Sequence, residues 1–141
     1  MSDLECFVRA QDDAGTYEQA LAELRAGRKT SHWMWFVLPQ LAGLGRSAMA
    51  QRYALASVEE ARAYLEHPVL GARLRQCATV LLELPTGTTA TSVFGGVDAT
   101  KLRSSMTLFH LADPTEAVFA TVLDRYFDGV SDDATVRLTR G

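Results

Sequence analysis

The stretch LGARLRQCATVLLEL, residues 70–84, decides the fold class of this chain. Its apolar residues recur at steps of four and three, which is the spacing of one face of an α-helix. The residues on this face are Leu70, Leu74, Cys77, Leu81 and Leu84. Pro85 comes next and should end the helix, because proline has no N–H to donate and disfavours helical backbone before it. The sequence therefore predicts a long core helix over residues 70–84.

Capping signals predict further helices on both sides of this stretch. In a capping box a serine or threonine is followed three residues later by Glu or Gln, and each side chain accepts a hydrogen bond from the other residue's backbone N–H. Such pairs are Ser2–Glu5, Thr16–Gln19 and Ser57–Glu60. Two more helices are expected to begin at Asp98 and Asp113, each with the aspartate as its N-cap. Only residues 33–38 could instead form a strand, so we predict an all-α, compact single domain of six or seven helices over residues 1–141.

The composition limits the classes of function. Hydrophobic residues make up 48% of the 141 residues, which is typical of a folded protein, and the net charge is −3. This acidic balance makes nucleic acid an unlikely partner and gives no attraction to anionic membrane surfaces. The N-terminus MSDLECFVRAQDD lacks the basic start and apolar run of a signal peptide, and no apolar run is long enough to cross a bilayer. With only two cysteines, the sequence predicts a cytoplasmic protein without membrane association.

The most unusual segment is GRKTSHWMWFVLPQ, residues 27–40. Residues 25–52 contain five basic residues and no Asp or Glu, so we expect a local positive field that favours an anionic group. Thr30 and Ser31 precede a short predicted helix, where hydroxyls and free backbone N–H groups commonly bind phosphate or carboxylate. The structural alternative is a basic loop that leads into a buried aromatic helix.

A second segment, VFGGVDATKLRSSMT at residues 93–107, combines a glycine pair with a polar helix. Lys101 and Ser105 are four residues apart and share one face, while Arg103 and Thr107 share another. Serine pairs are poor helix formers, which is consistent with a functional role, and the alternative is an ordinary surface helix.

Together the two segments predict a binding site for a small anionic metabolite, such as one that contains phosphate or a nucleotide. In this site basic residues would hold the charge and tryptophan would stack on a ring. The predicted ligand-binding residues are Arg28, Lys29, Ser31, His32, Trp33, Trp35, Lys101, Arg103, Ser104 and Ser105. We expect the segments to meet in space, with a bound anion or a nearby carboxylate offsetting the repulsion among their cations. The alternative is a non-enzymatic module that binds a protein partner through an apolar aromatic helical surface.

No catalytic motif identifies a reaction. Residues 43–47, GLGRS, have the glycine spacing of a phosphate loop but lack its Lys-Ser/Thr, so we expect a turn there. The three histidines have no metal-ligand spacing, and Ser104 and Ser105 have no nucleophile elbow. The sequence predicts no metal and no cofactor, and whether the chain is an enzyme stays open.

Three blocks of this sequence resemble a known bacterial family. They are GRKTSHWMWFVLPQLAGLG at residues 27–45, YLEHPVLGARLRQC at 64–77 and FGGVDATKLRSSMTLF at 94–109. They resemble domain of unknown function family 1810, whose members often carry the label calpastatin. The resemblance implies a mainly helical single domain and brings no activity or site residue with it. Calpastatins are largely disordered inhibitors, whereas this composition is that of a folded core.

We expect a chelator to leave the stability of the protein unchanged, because no His and Cys residues have metal-ligand spacing. The thermal unfolding midpoint, measured before and after dialysis against EDTA, checks this. Stoichiometric zinc or iron that survives dialysis and is needed for folding would contradict it.

Overall fold

The computed structural model describes residues 4–140, and helices account for most of them. The helices are α1 (Glu5–Asp12), α2 (Thr16–Arg25), α3 (Met34–Val37), α4 (Ala48–Arg52), α5 (Val58–Glu66), α6 (Leu70–Glu83), α7 (Ala90–Ala112), α8 (Ala117–Phe127) and α9 (Asp133–Arg140), with a 3₁₀ turn at Asp13–Gly15. Among these residues the only β-type pairing is an isolated bridge between Leu41 and Leu55. The predicted all-α class is confirmed. No helix in the described part of the chain is long and apolar enough to cross a membrane.

Helix α6 confirms the prediction made from residues 70–84 and lies at the centre of the fold. It packs against α2, α5 and α8, and the residues of its predicted apolar face are buried. Burial raises the pKa of Cys77 to about 12, so this thiol stays protonated and unreactive. Gly71 fits where no side chain could, because a Cβ atom there would lie 2.0 Å from the carbonyl oxygen of Leu65. This close approach fixes how α6 follows α5.

The longest helix, α7, does not begin at Asp98 as predicted. It begins at Ala90, and Thr89 and Ser92 form a capping box at its N-terminus. Gly95 then bends the helix, with φ 78° and ψ 170°, a conformation essentially restricted to glycine. At the bend the carbonyl of Val93 accepts a hydrogen bond of 2.8 Å from the backbone N–H of Lys29. Asp98 lies three residues after this bend, in the second of the two helical segments that make up α7, so its carboxylate is available for other contacts.

The other capping predictions have mixed outcomes. Ser57 accepts a hydrogen bond from the Glu60 N–H at 3.1 Å, as predicted, and α5 follows. The predicted cap at Thr16 is wrong, because Gly15 is the N-cap of α2 and the Thr16 hydroxyl donates to the Asp13 carbonyl. The predicted cap at Ser2 lies outside the described residues.

Two further predictions fall in the connecting segments. Asp113 does not cap α8; its carboxylate accepts hydrogen bonds from Thr115, and α8 begins only at Ala117. Residues 34–37 form one helical turn, so the strand considered for residues 33–38 is wrong. Residues 43–47 form the predicted turn before α4.

Arg125 joins α8 to the end of α6 without a carboxylate partner among the described residues. Its guanidinium donates to four carbonyl oxygens, those of Leu81, Leu82, Leu84 and Pro85, at 2.6–3.3 Å. These carbonyls belong to the last turn of α6 and the residues after it, which have no partners within the helix. A planar guanidinium can reach them together because its N–H groups have fixed directions.

We expect Arg125→Lys to lower the free energy of unfolding by about 1–3 kcal/mol, because an ammonium cannot satisfy all these carbonyls. Chemical denaturation monitored by circular dichroism measures the change. Arg137→Lys is the matched control, since the Arg137 side chain is 70% exposed. Equal stability of the two variants would contradict the capping role.

Candidate functional site

The two segments predicted to form a site do meet in space, at the carboxylate of Asp98. Lys29 Nζ lies 2.8 Å from Asp98 Oδ2, and Lys101 Nζ lies 3.5 Å from Asp98 Oδ1. The Lys29 side chain is only 8% exposed, whereas that of Lys101 is 23% exposed. The predicted proximity is confirmed. Asp98 is the nearby carboxylate that offsets repulsion between the two ammonium groups, so a bound anion is not required to hold them together.

Each lysine also lies over a tryptophan ring. Lys29 Nζ is 5.1 Å from the ring centroid of Trp33, and Lys101 Nζ is 5.4 Å from that of Trp35. Both distances allow attraction between the cation and the electron-rich face of the ring. Trp33 is fully buried and packs edge-on against Phe94, so its ring has no free face for a ligand. Trp35 is partly exposed, and its buried indole N–H has no hydrogen-bond partner among residues 4–140.

The conformation of the basic loop depends on Glu23, a residue that the sequence did not single out. Glu23 is 5% exposed and accepts hydrogen bonds from two backbone N–H groups and three side chains. The donors are Gln19 Nε2, Thr30 N, Ser31 N, Ser31 Oγ and Trp33 Nε1. Burial by itself raises the pKa of Glu23, but the hydrogen bonds outweigh it and hold the pKa well below its usual range. The side chain is therefore a buried, charged acceptor.

This arrangement corrects the prediction for Thr30 and Ser31. Their backbone N–H groups were expected to be free for a phosphate or carboxylate, but both donate to Glu23. The sequence does contain a signal for this contact. Glu23 is the last acidic residue before the acid-free residues 25–52, so the basic loop after it needs a negative partner.

The other predicted residues of α7 differ in burial and in their contacts. Arg103 projects away from Lys101: it donates to the carbonyl of Val130 at 2.8 Å and lies over the ring of Phe127. This position separates it from the two lysines, against the expectation that it would face them. Ser104 is buried and donates to the backbone of its own helix. The Ser105 hydroxyl is also buried, without a partner in the described part of the chain.

Two further predicted residues lie on the surface of the loop that carries Lys29. Arg28 and His32 are exposed on the loop next to Lys29. Two concave regions, of about 210 and 410 Å³, lie elsewhere and are lined by residues of α5 with α9 and of α1 with α4. Among residues 4–140 no group of three His, Cys, Asp or Glu side chains is placed to hold a metal ion. We name the Lys29, Asp98, Lys101 and Trp35 cluster the two-lysine site.

Comparison with known proteins gives a family and a fold. A family model described as protein of unknown function (DUF1810) matches residues 1–139. A solved structure, the conserved hypothetical protein Rv1873 from Mycobacterium tuberculosis, has 47% sequence identity and a TM-score of 0.94. The match covers 99% of this chain and 97% of that one. No curated protein matches the chain.

We expect Glu23→Gln to lower the free energy of unfolding near neutral pH by about 1–3 kcal/mol, because an amide cannot accept from all five donors. The folded-state pKa of Glu23 lies below its ordinary value of 4.5, so its charge stabilises the fold above that pH. This contribution is lost as the pH falls. The stability gap between wild type and Glu23→Gln should therefore narrow from about pH 6 to about pH 3.

Denaturation curves at several pH values measure this gap. Glu18→Gln, on the exposed face of the same helix, is the control and should show a small gap. A Glu23→Gln gap that stays constant with pH would contradict the role of the charged carboxylate.

Proposed function

The chain belongs to the DUF1810 family of proteins of unknown function, and we propose that it binds a small anionic metabolite at the two-lysine site. The ligand class is one that carries phosphate, including nucleotides. The observation that carries this proposal is an excess of hydrogen-bond donors over acceptors where Lys29, Asp98, Lys101 and Trp35 meet.

The donors belong to Lys29, Lys101 and Trp35, and the carboxylate between them is that of Asp98. Each ammonium has three N–H groups. Lys29 uses two of them, on Asp98 and on the carbonyl of Ser31 at 2.6 Å. Lys101 makes only the 3.5 Å contact with Asp98, and the indole N–H of Trp35 has no partner among the described residues. Lys101 therefore has N–H groups that can bind an anionic oxygen, whereas the Trp35 N–H is buried and would have to be uncovered before it could donate to one.

The surroundings favour negative charge and leave room for it. Exposed Arg28 adds a further cation to the neighbouring loop, and residues 25–52 contribute no acidic side chain. A Cβ atom added to Gly95 or Gly96 would meet nothing within 4 Å, so the bend of α7 leaves its backbone open to an approaching group. The backbone at these two glycines is therefore not covered by neighbouring side chains.

The alternative function, protein binding through an exposed aromatic surface, has less support. Five apolar residues of residues 33–38 are buried, namely Trp33, Met34, Phe36, Val37 and Leu38, and Trp35 is partly exposed. The large hydrophobic residues that are well exposed among the described residues, Val97, Val130 and Leu138, do not belong to that segment. An interaction surface usually presents apolar side chains as one continuous patch.

We expect phosphate-containing ligands to raise the thermal unfolding midpoint of the wild type, and Lys101→Met or Arg28→Gln to abolish this shift. Both variants remove a cation that would contact the anion, and both should keep the unliganded fold. Differential scanning fluorimetry against inorganic phosphate, pyrophosphate, nucleotides and sugar phosphates measures the effect.

Trp35→Phe tests the donor argument more directly. It keeps an aromatic ring below Lys101 and removes the unpartnered N–H, so it should weaken the ligand-induced shift at little cost to the unliganded protein. Arg137→Gln is the control, because Arg137 lies on α9 and pairs with Asp133. An undiminished shift in Lys101→Met and Trp35→Phe would place any anion site elsewhere.

A further inference from the structure

The two lysines of this chain are its only lysines, and both contact the same carboxylate. Lysine and arginine together number fourteen, and the other twelve are arginines. A preference for arginine throughout the rest of the chain makes the use of lysine at Lys29 and Lys101 informative. Both ammonium groups lie within 3.5 Å of Asp98. An amine must therefore have a property at these positions that a guanidinium lacks.

For Lys29, packing explains why the residue is lysine and not arginine. Its side chain is 8% exposed, and its nitrogen is held by Asp98 at 2.8 Å and by the Ser31 carbonyl at 2.6 Å over the ring of Trp33. A compact ammonium fits between these groups, whereas the larger planar fork of arginine would need more space.

For Lys101, packing does not explain the choice. Its side chain is 23% exposed, its contact with Asp98 is 3.5 Å long, and its other contact is the face of the Trp35 ring. Arginine forms all of these contacts readily, and it stacks on aromatic rings more often than lysine does. What arginine cannot do is lose a proton and form a covalent bond to a carbonyl carbon.

We infer that Lys101 forms an imine with a small anionic aldehyde or ketone bound at the two-lysine site. This inference rests on the proposed function, because the anionic group of the carbonyl compound is held by the groups proposed to bind the anion. It adds the class of compound and the residue that reacts with it.

The reaction balances with the groups present. The Lys101 ammonium gives one proton to solvent water, which its partly exposed side chain can reach, and its lone pair forms a bond to the carbonyl carbon while the carbon–oxygen π bond breaks. Proton transfer within the adduct gives a carbinolamine, and a proton from solvent adds to the departing hydroxyl, which leaves as water. The nitrogen lone pair then forms the C=N bond of a protonated imine. Ammonium and carbonyl are thus converted to iminium and water, with no oxidant or reductant. Lys29 stays charged beside Asp98 throughout.

Two reagents that differ only in a phosphate test this inference: pyridoxal 5′-phosphate and pyridoxal. The full-length protein is treated with each one and then with borohydride, which reduces an imine to a stable amine. Mass spectrometry of peptides locates the adduct. The chain offers only three amines, at Lys29, Lys101 and the N-terminus, so assignment is unambiguous.

We expect the adduct on Lys101, formed at least about tenfold faster with the phosphate-bearing reagent than with pyridoxal. Lys101→Arg should lose that adduct and keep the thermal shift with inorganic phosphate, because it keeps the positive charge. Arg137→Gln should react like the wild type.

Two results would overturn the inference in distinguishable ways. An adduct mainly on Lys29 or the N-terminus, or labelling of Lys101 no faster than in the urea-unfolded chain, would show that Lys101 is not a reactive amine. The proposed anion site would survive this result if inorganic phosphate still stabilised the protein. Equal labelling by both reagents, together with no stabilisation by inorganic phosphate, would overturn the anion site itself.

Discussion

The buried carboxylate of Glu23 is the contact on which the two-lysine site depends. Four donors of the basic loop, two of them backbone N–H groups, bind this carboxylate and hold the loop against α2. With the loop held there, Trp33 enters the core, Lys29 reaches Asp98, and Trp35 comes to lie below Lys101. A buried charge is tolerated only when it is well supplied with hydrogen bonds, and Glu23 meets that condition. The chain thus uses one internal anion to shape a positively charged surface.

Asp98 is the second residue on which the two-lysine site depends, because its carboxylate pairs with both lysines. Its position three residues after Gly95 suggested an N-cap, but its carboxylate pairs with Lys29 and Lys101 instead. The bend also frees the Val93 carbonyl to accept from the Lys29 backbone. A glycine in the middle of a helix is usually a weak point, whereas here it joins the helix to the loop on which the candidate site lies.

The sequence predicted best those features that depend on local periodicity. Helix α6 was located almost to the residue, because its apolar spacing and Pro85 act over short distances. The N-caps predicted at Asp98 and Asp113 were wrong because contacts between residues distant in the sequence determine the structure there. Asp98 is engaged by Lys29 across the fold, and α8 begins late, at Ala117, just after Glu116, whose carboxylate forms a two-point ion pair with Arg75 of α6. The cations and hydroxyls beside aromatic residues and glycine turns in both segments predicted that the segments meet. They could not predict that Glu23 occupies the loop N–H groups, since that contact depends on where α2 packs.

The contrasting environments of Trp33 and Trp35 have a spectroscopic consequence. These residues are two positions apart, yet one indole is enclosed in the core and donates to a carboxylate, while the other is partly exposed under an ammonium group. Their emission should therefore differ in wavelength and in sensitivity to quenchers. With both of its tryptophans in this one segment, the protein has two intrinsic reporters, one for the integrity of the core and one for the electric field at the surface beside Lys101.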